Sequence, residues 1–294
     1  MIFKGQNAYI IDIVYFTSGP AIFDKATSFE NQTPKHMQFN EKHREFIRDG
    51  HLIYMPQLSI DCVIFGYHDR ELKVLLAKYA DLNGWGLPGG FIKKEESLSH
   101  AAARILEERT TLKNIFLQQF YTFGDNEDRV LGWRSKIFEP EFIKEFGEDN
   151  WLLKRTIGIG YYALIEFSKA DIRPDIMYDE FSWQSVSELP ALLFDHNEMV
   201  EKALETMRLQ LYHQPIGYSL LPELFTLPEI QVLYETILGK TLHRRNFPTK
   251  LMSLGILVKT GGKRKIGQHR SPFLYRFDRE KYETALKIGI ALVE

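Results

Sequence analysis

Residues able to do chemistry gather in two places. The first is Gly84-Trp85-Gly86-Leu87-Pro88-Gly89-Gly90-Phe91, a glycine-rich connection followed by Glu96, Arg104, Glu107, Glu108 and Arg109. Carboxylates gathered on one helix face can ligate a hard divalent cation through oxygen. Successive helical residues are turned by about 100°, so Glu107 and Glu108 do not share a face, and Arg109 adds a positive charge beside them. The second place is His243-Arg244-Arg245-Asn246 with Lys250, followed by Lys259, Lys263, Arg264, Lys265, His269 and Arg270 around Gly261, Gly262 and Gly267. Arginine and asparagine can read base edges, and cations on a glycine-rich hairpin suit phosphate or minor-groove contact.

These residues need elements to hold them. Residues 58–67 and 71–79 are rich in Val, Ile, Leu and Tyr and predict a β-hairpin turning at His68-Asp69-Arg70. Leu98, Ala102, Ile105 and Leu112 recur at helical spacing and predict a helix over 97–112. Strands are predicted over 115–123 and 157–167. The polar stretch 124–155 between them is long for a compact domain; it can hold a helix near 140–146, and Trp133, Phe138 and Trp151 imply that part of it packs. Residues 182–192 close the first domain, and Asp195 is placed as the N-cap of a helix over 197–212 that stops before Pro215. Beyond it, helices over 227–239 and 244–254, each stopped by glycine, precede strands over 256–259 and 273–277. Helix, short turn, helix and hairpin is the order of a winged helix-turn-helix.

Composition agrees with two domains. The chain has 294 residues and an ordinary share of apolar and charged residues. Its net charge of −2 conceals an asymmetry: residues 216–294 carry 13 Lys and Arg against 7 Asp and Glu. A basic module joined to an acidic remainder points to a nucleic-acid partner for the former. The one cysteine, Cys62, lies in an apolar run and reads as a buried thiol, which excludes a disulfide framework or a cysteine-based zinc site and suits the cytoplasm. No run approaches the roughly 20 apolar residues of a membrane span. Residues 1–36 receive no function, and a polar helical stretch opens at Met37.

The loop and helix at 84–112 resemble the Nudix box: glycine, five residues, glutamate, seven residues, then Arg-Glu-apolar-any-Glu-Glu-any-Gly-apolar. Gly90, Glu96, Arg104, Leu106, Glu108 and Leu112 fall on that pattern. Ile105 and Arg109 stand where two glutamates belong, and Thr111 stands where glycine belongs. A pyrophosphate-cleaving member holds divalent cations on this helix with several carboxylates; here Glu108 alone keeps its place. A unit charge about 4 Å from another is worth roughly 4 kcal/mol at an effective dielectric near 20, so an arginine in a ligand position opposes metal occupancy. No metal, no cofactor and no catalytic residue are therefore expected, and Glu96 and Arg104 are expected to bond each other and fix the loop to the helix.

With the winged helix added, the chain resembles the Nudix-related transcriptional regulators, which include NAD-metabolism regulators and arabinose-responsive regulators. The resemblance covers residues 57–278 and also rests on Lys154-Arg155-Thr156-Ile157-Gly158-Ile159-Gly160-Tyr161-Tyr162-Ala163-Leu164, Phe194-Asp195-His196 and Arg244-Arg245-Asn246-Phe247. It implies an α+β chain: an N-terminal Nudix-type α/β/α sandwich and a C-terminal winged helix-turn-helix. The expected divisions are an extension over 1–55, an effector domain over 56–196, a connector over 197–215 and a DNA-binding domain over 216–294. The expected effector pocket holds Lys78, Trp85, Phe91, Glu108, Arg109, Arg155 and Tyr161. The expected DNA contacts are Arg244, Arg245, Asn246, Lys250, Lys263, Arg264, Lys265 and Arg270. Expected partners are double-stranded operator DNA, a second copy of the chain, and a pentose or ADP-ribose-like effector, with the sugar-responsive branch favoured. The competing expectation is an active hydrolase that recruits Glu145, Glu148 or Asp149 as substitute ligands.

Overall fold

The structure is a computed structural model and describes residues 41–79, 84–113, 115–125, 140–169, 172, 177–265 and 271–289. The predicted hairpin is formed by β1 (Tyr54–His68) and β2 (Glu71–Tyr79), antiparallel with Phe65 opposite Val74. Asp69 and Arg70 at its tip have φ of 52° and 65°. A tight hairpin needs positive φ there to match the twist of its strands.

The glycine-rich connection is itself part of the sheet, as β3 (Gly84–Gly86) and β4 (Gly89–Lys93). With β5 (Phe116–Phe123), β6 (Ile157–Ile165) and β7 (Tyr178–Ser185) the strand order is β3-β2-β1-β6-β5, with β4 added to β1 and β7 to β2. β1 and β6 run parallel, and the other pairs are antiparallel. Helices α1 (Glu41–Ile53), α2 (Leu98–Thr110), α3 (Pro140–Phe146) and α4 (His196–Leu211) pack around it.

Side chains alternate across a strand, and this alternation sorts the core into two faces. Ile60, Cys62 and Ile64 of β1, with Ile159, Tyr161 and Ala163 of β6, pack on Ala101, Ala102, Ile105 and Leu106 of α2. Val63 and Phe65, with Tyr162 and Leu164, face the other way, toward Met199, Val200 and Ala203 of α4. The result is the expected three-layer sandwich. Leu98, expected in the α2 stripe, is instead exposed at the first turn, and Ala101 and Leu106 complete the buried face.

Ser97 caps α2 by accepting the His100 N–H at 3.3 Å. At the other end Thr111 takes a left-handed conformation, φ 60°, and its N–H bonds the Glu107 carbonyl at 2.8 Å. This is the place where the family pattern has glycine, and a β-branched residue there costs about 1–2 kcal/mol. Thr111→Gly is expected to stabilise the chain by about 1 kcal/mol, a gain that urea unfolding would detect. An unchanged midpoint would show that the turn carries no strain.

The C-terminal part holds α5 (Leu227–Leu238), α6 (Asn246–Ser253), β8 (Leu257–Lys263), β9 (Phe273–Phe277) and α7 (Arg279–Ile288). Thr226 and Glu229 form a capping box on α5, and Gly239, φ 66°, ends it. The second helix starts at Asn246, two residues later than expected. The reason is local: the His243 ring Nδ1 accepts the N–H groups of Arg245 and Asn246 at 3.4 and 3.3 Å, as a cap would. Pro248 thereby lies in the first turn, where its missing N–H has no intrahelical partner to lose. β8 also runs to Lys263 rather than Lys259, because Lys263 pairs with Phe273 beyond a bulge.

Helix α4 belongs to both parts of the core. Its Met199 and Ala203 meet the sheet, while Met207 and Leu211 join a cluster that continues to Leu233, Ile237 and Phe247. Arg208 Nε donates to the Ile237 carbonyl at 2.7 Å, tying α4 to the end of α5.

Candidate functional sites, an acidic cavity and a basic surface

A cavity of about 240 Å³ opens on the α4 side of the sheet, beside the loop that joins β3 to β4. Asp61, Tyr79, Tyr178, Asp195 and His196 form its polar wall, and Phe46 and Phe91 stand among its aromatic lining. Asp61 is a carboxylate in an apolar strand; alternation turns it to the same face as Val63 and away from α2. Space for it comes from Gly89, where a Cβ would stand 2.6 Å from Asp61 Oδ1. Ser59 Oγ donates to Asp61 Oδ2 at 3.1 Å. Burial, reinforced by the charge of Asp195, pushes the Asp61 carboxyl up to about 7.

His196 is placed by the first turn of α4. Its Nδ1 accepts the Leu87 N–H at 2.8 Å, which requires that nitrogen to be unprotonated. Nε2 lies 3.7 Å from Asp61 Oδ1. Burial pushes the imidazole down to about 3, so the ring is neutral at physiological pH. Two phenols fix the same loop: Tyr79 donates to the Leu87 carbonyl at 3.0 Å, and Tyr178 OH accepts the Gly89 N–H at 3.0 Å.

Of the seven side chains expected at the pocket, Phe91 lines this cavity. Tyr161 lies on the opposite face of the sheet, with Cys62 and α2, because it is one residue out of phase with Gly158 and Gly160. Trp85 packs against the α4-side core, and its carbonyl accepts the Leu193 N–H at 2.8 Å. Lys78 is opposite Trp85 and Glu180 in the sheet and is not in the lining. Arg155 donates to the Gly124 carbonyl and so braces a loop that lines the cavity, without lining it itself. Asp195, expected as a side-chain cap for α4, makes no such bond and turns into the cavity.

The divergent box explains the rest. Arg104 holds Glu96 through Nε at 3.0 Å and a second, shorter bond, donates to the Phe91 carbonyl at 2.9 Å, and reaches Glu108 at 3.2 Å. That pairing fixes loop to helix as the sequence implied, and it draws Glu96 below the usual carboxylate range. Ile105 packs beneath Gly90, and the buried Arg109 guanidinium donates to the Gly89 carbonyl at 3.3 and 3.2 Å while lying 4.8 Å above the Tyr178 ring. Glu108 and Glu96 are therefore engaged by one arginine, and a second arginine occupies the loop carbonyl. Such a donor set does not fit a divalent cation, and among the described residues no three His, Cys, Asp or Glu are grouped to hold a metal.

The basic surface is at the other end of α4. Arg244, Arg245 and Asn246 are exposed at the start of α6, with Lys250 half-buried on the following turn. Lys263 and Lys265 are exposed on the hairpin, and the Lys259 and Lys263 amines lie 3.4 and 4.8 Å from the Phe273 ring centre. Arg264 differs from its neighbours: it pairs with Glu229 and donates to the Leu224 carbonyl at 2.7 Å. Its charge is directed into the protein, at the cap of α5, rather than outward. Arg270 lies outside the described residues.

A sandwich built on a glycine loop and a box helix that keeps one of its metal carboxylates, continuous with a winged helix, defines a regulator made from a Nudix scaffold. The comparisons agree: the NUDIX domain family matches residues 55–203, about half of the chain, and the NrtR DNA-binding winged helix domain matches residues 217–277. The chain belongs to the Nudix-related transcriptional regulators. The Acinetobacter baylyi protein described as ADPR responsive transcriptional repressor NtrR is 28% identical over 236 residues, 78% of this chain and 84% of that protein. The crystal structure of Shewanella oneidensis NrtR complexed with a 27mer DNA is 28% identical, with a TM-score of 0.61 over 77% of this chain and 96% of that one. A MutT/nudix family protein from Enterococcus faecalis, 18% identical, shares the fold with a TM-score of 0.52 over 82% of this chain and all of that one.

Proposed function

We propose that the chain is a cytoplasmic, ligand-responsive repressor that binds operator DNA as a homodimer and whose Nudix domain binds an effector without hydrolysing it. The observation that carries this reading is the span of α4. Its first turn supplies His196 and Met199 to the cavity, and its last turns supply Met207, Leu211 and the Arg208 bond to the winged helix. An effector acts on DNA affinity only through a difference in affinity for two arrangements of the protein, and α4 both lines the cavity and packs against the winged helix. In this reading residues 56–196 receive the effector, 197–215 connect, and 216–294 meet DNA through Arg244, Arg245, Asn246 and the wing lysines.

The effector is a small sugar. No Lys or Arg is among the described residues that line the cavity, whereas two carboxylates are. A diphosphate would find no lining cation to pair with there, while sugar hydroxyls can bond carboxyl groups and sugar rings can lie on aromatic faces. The Acinetobacter baylyi relative, an ADPR responsive repressor by name, makes ADP-ribose the alternative to be tested. A thermal-shift screen of pentoses, hexoses and ADP-ribose, followed by gel shifts with the upstream DNA, tests both. A pentose is expected to raise the melting temperature and weaken the complex. Magnesium-dependent release of AMP or phosphate from ADP-ribose, with no DNA binding at low salt, would refute the reading in favour of a hydrolase.

A further inference from the structure

Helix α1 precedes the segment that matches the Nudix family, which begins at residue 55, yet it forms one wall of the cavity. His43, Phe46 and Ile47 line it from this helix. His43, Ile47 and Gly50 are its buried residues, one side of the helix at spacings of four and three. The wall is held in place by groups from the other non-strand part of the fold. Trp151 Nε1 and Asn150 Nδ2 each donate to the Ile47 carbonyl at 2.9 Å. The Trp151 ring lies so close to Gly50 that a Cβ there would be 2.6 Å from it. Arg44 pairs with Glu145 of α3, and the Lys94 N–H bonds the Ile53 carbonyl at 3.0 Å.

Phe46 is the centre of this arrangement. Its ring centroid lies 5.5 Å from Trp151 and 5.9 Å from both Phe91 and Tyr54. Together Phe46 and Phe91 give the cavity an aromatic side, while Asp61 and His196 give it a polar one. A ligand with an apolar face and several hydroxyls, such as an unmodified pentose, matches both sides at once.

We propose that α1 is a specificity element added to the Nudix scaffold, with Phe46 and His43 in direct contact with the effector. The proposal rests on the cavity being the effector site, and the test separates the two. The full-length chain and its Phe46→Leu, His43→Gln, Asp61→Asn and Arg48→Ala variants would be titrated calorimetrically with arabinose, xylose and ribose. Circular dichroism would verify that each variant is folded. Arg48 is exposed on α1 and serves as the control. Phe46→Leu is expected to weaken the preferred pentose about tenfold and to change the ratio of affinities among the three at least threefold. A merely structural α1 would lower all three affinities in proportion, and that result would overturn the proposal. If Asp61→Asn abolished binding while Phe46→Leu and His43→Gln left affinities and ratios as in the parent, α1 would be excluded and the cavity retained. No pentose binding by the parent chain would refute the sugar reading on which the proposal rests.

Discussion

Asp61→Asn is expected to give the chain a steep rise of stability with pH between about 4.5 and 6.5, a rise that the parent lacks. The sign follows from two buried neighbours shifted in opposite directions. Asp61, raised from 3.8 to about 7, keeps in the folded chain a proton that the unfolded chain has released, so its contribution falls as pH rises through that window. His196, lowered from 6.5 to about 3, lacks in the folded chain a proton that the unfolded chain binds, so its contribution is lost as pH falls below 6.5. Each proton of difference gives about 1.4 kcal/mol per pH unit. In the parent the two slopes oppose each other across nearly the same range. Asp61→Asn leaves the histidine slope alone, and the variant should gain about 3 kcal/mol relative to the parent between pH 4.5 and 6.5. His196→Gln, whose amide oxygen can still accept the Leu87 N–H, should show the reverse trend. Urea unfolding at three pH values decides it, and because the comparison is between proteins, groups common to both cancel. Parallel pH profiles for parent and Asp61→Asn would show that the two groups do not titrate as a buried, opposed pair.

What could be read from the sequence was local. The hairpin turning at 68–70, the helix over the Nudix box and the Glu96–Arg104 pair all follow from signals within about ten residues. The glycines at 86 and 89 were legible only as part of a glycine-rich connection, and what they make room for was not: the side chains are His196 and Asp61, brought there by the folded sheet. Asp61 did leave a trace, as a charged residue inside the apolar run Ile60-Asp61-Cys62-Val63, and period-two alternation separates it from Ile60 and Cys62. Tyr161 shows the cost of reading residue type without phase. An adjacent tyrosine on one strand faces the opposite layer, and the cavity lies on the side of Gly158, Gly160 and Tyr162. The α1 wall was less legible still, since its anchor Trp151 is about a hundred residues away along the chain.

Arg264→Ala and Glu229→Ala are each expected to weaken operator binding, by about fivefold to tenfold, and to leave the salt dependence as in the parent. From sequence, Arg264 is one more cation on a basic hairpin. In the structure its guanidinium spans from the hairpin to Glu229 and the Leu224 carbonyl. Glu229 in turn accepts the Thr226 N–H at 2.7 Å as part of the cap of α5. The arginine thus fixes the angle between the hairpin and the helix pair, and losing either partner loosens the hairpin. A residue bound to phosphate behaves otherwise, because each phosphate neutralised adds about 0.9 to the slope of log affinity against log salt on duplex DNA. Lys263→Ala and Arg245→Ala, which remove exposed cations, should each flatten that slope by roughly one phosphate, or, for Arg245 reading a base, lose affinity on the operator more than on random DNA. The double variant Arg264→Ala with Glu229→Ala should be no weaker than either single one, since the pair acts as a unit. Fluorescence anisotropy at four salt concentrations separates these outcomes. A flattened slope for Arg264→Ala with none for Glu229→Ala would return Arg264 to the phosphate-binding face.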